Sequence, residues 1–239
     1  MAGLLALVGG DEFNTGNEEQ DRLMAAAATR GPAYVVPTAA ARGGPAQAVA
    51  NATRWFGNLG LELEELPVLK RADAGSKELA ELARAGGFFY LVGGDPGHVA
   101  EVLRGSRVFA AIFDAWLDGA VLAGSSAGAM ALCEHSLIRR TWPKSFDRRP
   151  TRGLGVVPRA AVLPHFETFG HRWIESARRE LPDATLIGID ERSAAVWRDG
   201  EWRAMGPGKV TVIKRSQTEF ESGVKITGLP QPARRLSNQ

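Results

Sequence analysis

The pentapeptide Gly124-Ser125-Ser126-Ala127-Gly128 fits the spacing G-x-S-x-G, at which a serine hydroxyl can act as a nucleophile. Residues 120–123 before it are a short apolar strand, and a helix begins near Ala127, so the pentapeptide is a tight strand-to-helix turn. A serine there projects its hydroxyl into open space. Its neighbours must be small because strand and helix nearly touch, and Gly124, Ala127, Gly128 and Ala129 meet that need. Ser126 is centred between the glycines and Ser125 is not. The Ala127 N–H, at the start of the helix, faces the same way as the serine oxygen, where developing negative charge is stabilised. An ordinary Gly/Ser/Ala turn opening a crossover helix would have the same composition, so the partners of Ser126 decide between the two.

A nucleophilic serine needs a base, and histidine is the side chain that titrates in the useful range. The chain has four histidines. His98 follows Pro96-Gly97, where it could cap a helix. His135 ends the helix after the turn, and His171 begins another. His165 closes the apolar strand 161–165, and a parallel sheet would place it beside Ser126. The third member should be a carboxylate at a neighbouring strand end. Glu191 fits best, after the apolar run 184–189; Asp190 is second, and Glu167 would project differently. No His/Cys/Asp/Glu set has metal-ligand spacing, and no phosphate-binding glycine loop is present, so neither a metal nor a nucleotide cofactor is expected.

The elements that must carry these residues alternate. Strands are expected at 3–8, 33–37, 61–69, 88–92, 120–123, 161–165 and 184–189. Helices are expected at 17–29, 45–59, 76–85, 98–103, 108–117, from 127, and at 170–181. Repeated β-α units with short glycine-containing links predict an α/β fold, a doubly wound and mostly parallel sheet flanked by helices. Such sheets bind ligands at the carboxyl ends of their strands, where Gly9-Gly10, Gly93-Gly94-Asp95 and Gly124-Ser125-Ser126 fall. Residues 193–198, 201–205 and 210–214 read as a C-terminal β-meander. Residues 137–152, with five arginines and one lysine but little periodicity, read as a long loop beside the site with solvated charges. Residues 1–229 form one expected domain, and 230–239 a polar, frayed tail.

Charge and composition narrow the partners. With 29 basic and 27 acidic residues the net charge is +2, which leaves no footprint for nucleic acid or an acidic membrane. The one cysteine, Cys133, rules out an intrachain disulfide framework and is expected to be a small buried residue. The first apolar run is short and lacks the basic flank of a signal peptide, and no run approaches the ~20 apolar residues of a membrane span. The expected location is the cytoplasm, the expected partner a small peptide substrate, and a homodimer is left open.

Taken together, Gly93-Gly94-Asp95, Gly124 to Ala129, Pro164-His165-Phe166 and Gly188-Ile189-Asp190-Glu191 resemble, in order and rough spacing, the serine peptidases that include peptidase E (aspartyl dipeptidase) and cyanophycinase. The resemblance runs over residues 4–212. It implies a class I glutamine-amidotransferase-like, flavodoxin-like three-layer sandwich and a metal-free Ser-His-Glu triad. Carried over, Ser126 is the nucleophile, His165 the base and Glu191 its orienter. Gly94 and Ala127 supply the oxyanion N–H groups, and Asp95 and Arg172 lie toward the substrate. The order Ser, His, acid differs from that of α/β-hydrolases, and amidotransferases proper carry cysteine at the turn.

Some residues depart from the relatives. Pro164 before His165 resembles peptidase E, whereas cyanophycinase has Asp-Gln there. Pro96 replaces the Gln or Thr usual after Gly94-Asp95, and the loop after Phe166 is shorter than in peptidase E. The expected activity is a serine exopeptidase acting on dipeptides or short peptides. Cyanophycinase-like or isoaspartyl hydrolysis is the enzymatic alternative, and a catalytically silent binding or regulatory protein on this scaffold the non-enzymatic one.

Overall fold

The apolar runs become strands covered on both faces. The computed structural model describes residues 2–139 and 148–236. Strands β1 (Leu5–Val8), β2 (Ala33–Val36), β3 (Leu63–Glu65), β4 (Phe88–Leu91) and β5 (Val121–Ser125) alternate with helices α1 (Glu18–Ala27), α2 (Pro45–Asn58), α3 (Arg71–Ala74), α4 (Lys77–Ala85), α5 (Pro96–Leu103) and α6 (Arg107–Leu117). Helix α7 (Ala127–Leu132) follows β5. Then come β6 (His135–Arg139), β7 (Arg148–Arg152), β8 (Ala160–Leu163), α8 (Ile174–Glu180) and β9 (Thr185–Ile189). The chain closes with β10 (Ala194–Arg198), β11 (Glu201–Met205), β12 (Val210–Ile213), β13 (Gln217–Phe220) and β14 (Lys225–Ile226).

The main sheet has the order β14-β11-β10-β1-β5-β4-β2-β3. From β1 to β3 the pairs are parallel, and β10, β11 and β14 add an antiparallel edge. Alternate residues serve opposite faces. Leu5, Leu7, Phe89, Leu91 and Leu122 pack with α4 to α7, while Ala6, Val8, Phe88, Tyr90 and Ala123 pack with Met24 of α1 and Phe56 of α2. This double burial is why the strands read as nearly continuous apolar runs.

Four expectations change. The meander divides: β10 and β11 form a hairpin in the main sheet, whereas β12 pairs antiparallel with β9 in a second sheet of order β13-β12-β9-β8. Local periodicity signals a strand but not which partner it pairs with. His165 therefore leaves the second sheet and not the main one. The loop expected at 137–152 is, in its described parts, a two-stranded ribbon of β6 and β7 with Arg139 opposite Arg148. Cross-strand pairing, which composition does not display, makes it. Residues 230–236 are not frayed. Ala233 donates its N–H to Val156 O at 2.8 Å, Trp202 Nε1 donates to Pro230 O at 3.0 Å, and Pro232 is buried. The anchors are apolar or backbone groups inside a polar stretch. Residues 170–181 are helical as expected, but as a 3-10 turn, Gly170–Trp173, running into α8. No helix among the described residues is long and apolar enough to cross a membrane.

One buried charge makes the fold pH-dependent. Asp21 on α1 is fully buried, with Oδ2 accepting from Trp55 Nε1 at 2.7 Å and Oδ1 unpartnered among the described residues. Burial, more than the opposing Trp55 bond, pushes its carboxyl up to about 7. The fold prefers the protonated form, so this contribution is fully present below the ordinary carboxylate range and is lost as pH rises through about 7. Asp21→Asn should therefore gain melting temperature relative to wild type on going from pH 5 to pH 8. The same difference at both pH values, measured by thermal denaturation, would show that Asp21 does not titrate in this way.

Candidate active site

The site gathers where β1, β4, β5, β8 and β9 end. Ser126 joins β5 to α7 with φ 47° and ψ −108°, a strained conformation for a residue with a side chain. Its surroundings impose it. The Ser126 N–H donates to Val8 O at 3.0 Å, and its carbonyl accepts from Met130 N at 2.9 Å. The glycines let the strand and helix meet: a Cβ on Gly124 would lie 2.6 Å from the Gly128 carbonyl carbon, and one on Gly128 2.2 Å from Leu91 O.

Ser126 Oγ is 3.1 Å from His165 Nε2, and His165 Nδ1 is 2.7 Å from Glu191 Oε1. An ionised carboxylate only accepts, so the ring proton sits on Nδ1 and leaves Nε2 as the acceptor facing the hydroxyl. Asp190 is occupied elsewhere, with Oδ2 accepting from Lys209 N at 2.8 Å. Glu167 accepts the Glu191 N–H on both oxygens, at 3.0 and 3.1 Å, and so holds the backbone of Glu191. Burial, reinforced by Asp190 and Glu191, keeps the Glu167 carboxyl above its usual range, although hydrogen bonds oppose the shift. Thr168 Oγ1 donates to His165 O at 3.0 Å and lies 3.4 Å from Glu191 Oε1. Phe169 stacks on the His165 ring, with centroids 4.9 Å apart and planes at 21°.

The loop after β1 meets His165, which comes from the second sheet. His165 N–H donates to Gly9 O at 2.7 Å, and Arg192 N–H to Gly10 O at 2.9 Å. A Cβ on Gly10 would stand 2.3 Å from the His165 ring, and Gly10 has a φ of +119° that side chains rarely adopt. Only glycine fits there, on both counts.

Ser126 and His165 open onto a cavity of about 440 Å³ that Gly94, Asp95 and Ala127 also line. The N–H groups of Gly94 and Ala127 donate to no acceptor among the described residues. Asp95 serves as helix cap: Oδ1 accepts from Gly97 N at 2.9 Å and His98 N at 3.0 Å, with Arg42 3.5 Å from Oδ2. Arg139, Arg148, Phe169 and Trp173 also line the cavity. Arg148 is half-buried, its guanidinium 3.9 Å from the centre of the Trp173 ring. Desolvation, with the Arg139 charge second, pulls its pKa down to about 10. Its charge is thus not simply solvated, as the ribbon's composition suggests. Arg172 is exposed on the 3-10 turn outside the cavity wall, and Arg140 lies outside the described residues. A roomier cavity of about 620 Å³, lined in part by Phe109, Glu134 and Arg235, contains none of these groups.

Residues 4–205 match the model of Peptidase family S51. The chain belongs to that family. Cyanophycinases of Synechococcus elongatus and Thermosynechococcus vestitus are each 32% identical to it over 166 residues, 66% of this chain and 51% of theirs. The chain thus spans about half the length of the curated relatives it matches. A crystal structure of a peptidase from an acI-B1 actinobacterium superposes with a TM-score of 0.83 at 32% identity, covering 95% of this chain and 97% of that one. A putative peptidase E protein from Listeria monocytogenes EGD-e gives 0.62 at 18% identity, over 87% of this chain and 100% of its own, which is likeness of fold alone.

Of the residues picked out in the sequence, Ser126, His165 and Glu191 meet in this S51 member, and Gly94, Ala127 and Asp95 join them at the cavity; Arg172 does not line it. Sequence reasoning passed over Glu12, Thr168 and Trp173, which lie in no recognisable motif. Buried Cys133, its thiol pushed up to about 12 by burial, does not line this cavity. Ser126→Ala should lower turnover by about 10⁴-fold or more, as loss of a nucleophile does, whereas Ser125→Ala should cost no more than about tenfold. Gly10→Ala should cost about 10²-fold or more, because the His165 ring must move by on the order of 1 Å. Rates of purified Ser126→Ala or Gly10→Ala near wild type would contradict the role given to Ser126 or to the seat of the ring, respectively.

Proposed function

We propose that the chain is a serine-type peptidase that hydrolyses dipeptides or short peptides through an acyl-enzyme on Ser126. The observation that carries this reading is the line of hydrogen bonds from Ser126 Oγ through His165 to Glu191, opening onto a cavity beside two undonated N–H groups. Ser126 Oγ attacks the scissile carbonyl as His165 Nε2 takes its proton. Glu191 holds the Nδ1–H and stabilises the imidazolium that forms. The carbonyl oxygen, now negative, takes the N–H groups of Ala127 and Gly94. His165 then gives the proton to the leaving amine, and a water deprotonated by the same nitrogen releases the acid. A complete hydrogen-bonded triple speaks for activity over a silent scaffold.

The cavity wall gives the substrate a charge preference. Arg139 and Arg148 line the same cavity as the proposed oxyanion donors, and among the described residues neither pairs with a carboxylate. A substrate carboxylate would fill that role, since a guanidinium offers it two parallel hydrogen bonds. This displaces Arg172 as the principal carboxylate contact. Cyanophycinase-like hydrolysis of isoaspartyl bonds is the second reading, favoured by the 32% identity to the cyanophycinases.

A library of dipeptides, α- and β-linked at aspartate, should show cleavage unaffected by EDTA and strongest for acidic members. Arg148→Gln should raise KM for acidic peptides by about tenfold or more, equivalent to ~1.4 kcal/mol, and leave neutral ones nearly unchanged. Arg172→Ala should have the smaller effect. Cleavage of β-linked substrates alone would select the second reading, and inactivation by EDTA with recovery on adding zinc would overturn both.

A further inference from the structure

Glu12 hydrogen-bonds neither Ser126 nor His165 among the described residues, yet it grips the residue before the proposed nucleophile and the residue before one proposed oxyanion donor. Its Oε2 accepts from Ser125 Oγ at 2.8 Å, and its Oε1 accepts from Gly93 N at 2.8 Å. Ser125 precedes the nucleophile, and Gly93 precedes Gly94. One carboxylate therefore spans from the end of β5 to the turn after β4. We propose that Glu12 is a positioning residue that sets the separation of Ser126 and the Gly94 N–H, and so the fit of the tetrahedral intermediate. The inference rests on the proposed serine-peptidase reading.

The surrounding geometry gives the carboxylate that leverage. The Gly93-Gly94-Asp95 turn is fixed at its far end, where Asp95 N–H donates to Ala39 O at 2.8 Å; at its near end stands the Glu12 bond. Gly94, between these two anchors, has φ +142° and packs so close to Ala39 O that a Cβ would fall 2.2 Å from it. A Cβ on Gly93 would meet Glu12 Oε1 itself at 2.8 Å. Glu12 is placed by its own backbone: its neighbours Asp11 and Phe13 have φ of 53° and 62°. Asn17 Nδ2 donates to Asp11 O at 2.8 Å, and Phe13 packs on Tyr90 with ring centroids 5.1 Å apart. The same loop begins at Gly9-Gly10, which seats His165. Releasing the Glu12 bonds frees the Gly94 N–H and the Ser126 turn to separate, while Arg139, Arg148 and Trp173, which Glu12 does not bond, keep their places on the cavity wall. The loss should therefore fall on the transition state and not on the ground state.

The test compares wild type with Glu12→Ala, Glu12→Gln, Ser125→Ala and the double variant Glu12→Ala/Ser125→Ala. For each, labelling of Ser126 by a fluorophosphonate, kcat and KM on the best dipeptide, inhibition by the matching peptide aldehyde, and melting temperature are measured. Glu12→Ala should lose about 10- to 100-fold in kcat with KM changed less than about threefold, and aldehyde affinity should fall in parallel with kcat/KM. Glu12→Gln should recover most of the loss, because its amide accepts from Gly93 and donates to Ser125. The double variant should be no worse than Glu12→Ala alone, since the bond that Ser125→Ala removes is already lost in Glu12→Ala. Equal aldehyde affinity and kcat in folded Glu12→Ala would overturn the positioning role, as would additive losses in the double variant. Should Glu12→Ala fail to fold, Ser125→Ala with unaltered aldehyde affinity would overturn it equally. A wild type that takes up no fluorophosphonate would instead remove the serine nucleophile, and the inference with it.

Discussion

The site depends on how closely the end of β1 can approach the second sheet. At Gly9 a Cβ would lie 2.0 Å from Asp190 O, and at Gly10 2.3 Å from the His165 ring. Across this seam runs the bond from His165 N to Gly9 O, while those from Gly9 N to Ser193 O and from Arg192 N to Gly10 O extend the pairing of β1 with β10. Ser126 follows a strand of the main sheet, whereas His165 and Glu191 follow strands of the second. A hydrogen bond of 3.1 Å between Ser126 and His165 exists only because two residues without side chains let the sheets touch. His165 itself takes a φ of 49°, strain that its bonded neighbours sustain.

Around the seam, each reactive group has a support. Glu167 holds the backbone of Glu191, Thr168 ties the His165 carbonyl toward the same carboxylate, and Phe169 lies on the imidazole. These three residues lie two to four positions after His165, so one short turn supplies supports for both His165 and Glu191. Phe169 in turn meets Trp173, with centroids 5.5 Å apart, and Trp173 carries Arg148. The charge that would select a substrate is therefore stacked, through two rings, on the histidine that would act on it. Attraction of a guanidinium to an aromatic face is worth ~0.5–2 kcal/mol, enough to bias the orientation of Arg148 without locking it.

Local order was legible in the chain. The β-α alternation, the turn at Ser126 and the apolar strands shortly before His165 and Glu191 all rest on short-range patterns. Glu191 and Asp190 were distinguishable only in three dimensions, because adjacent strand-end residues point to opposite sides: one meets His165 and the other Lys209 N. Glu12 gave no signal, since its partners Gly93 and Ser125 lie 81 and 113 positions away.

The amino-acid sequence by itself determined what each segment is and which groups are available for chemistry: hydrophobic period, turn glycines and residue type are properties of neighbours along the chain. Tertiary structure alone decided which segments adjoin. It sent β12 to β9 instead of β11, folded 148–152 back on 135–139, docked 230–236, and put Arg148 instead of Arg172 at the cavity. Pairing of distant strands and burial of a charge against a distant ring depend on closing long loops around a shared core, and no window of sequence contains both partners.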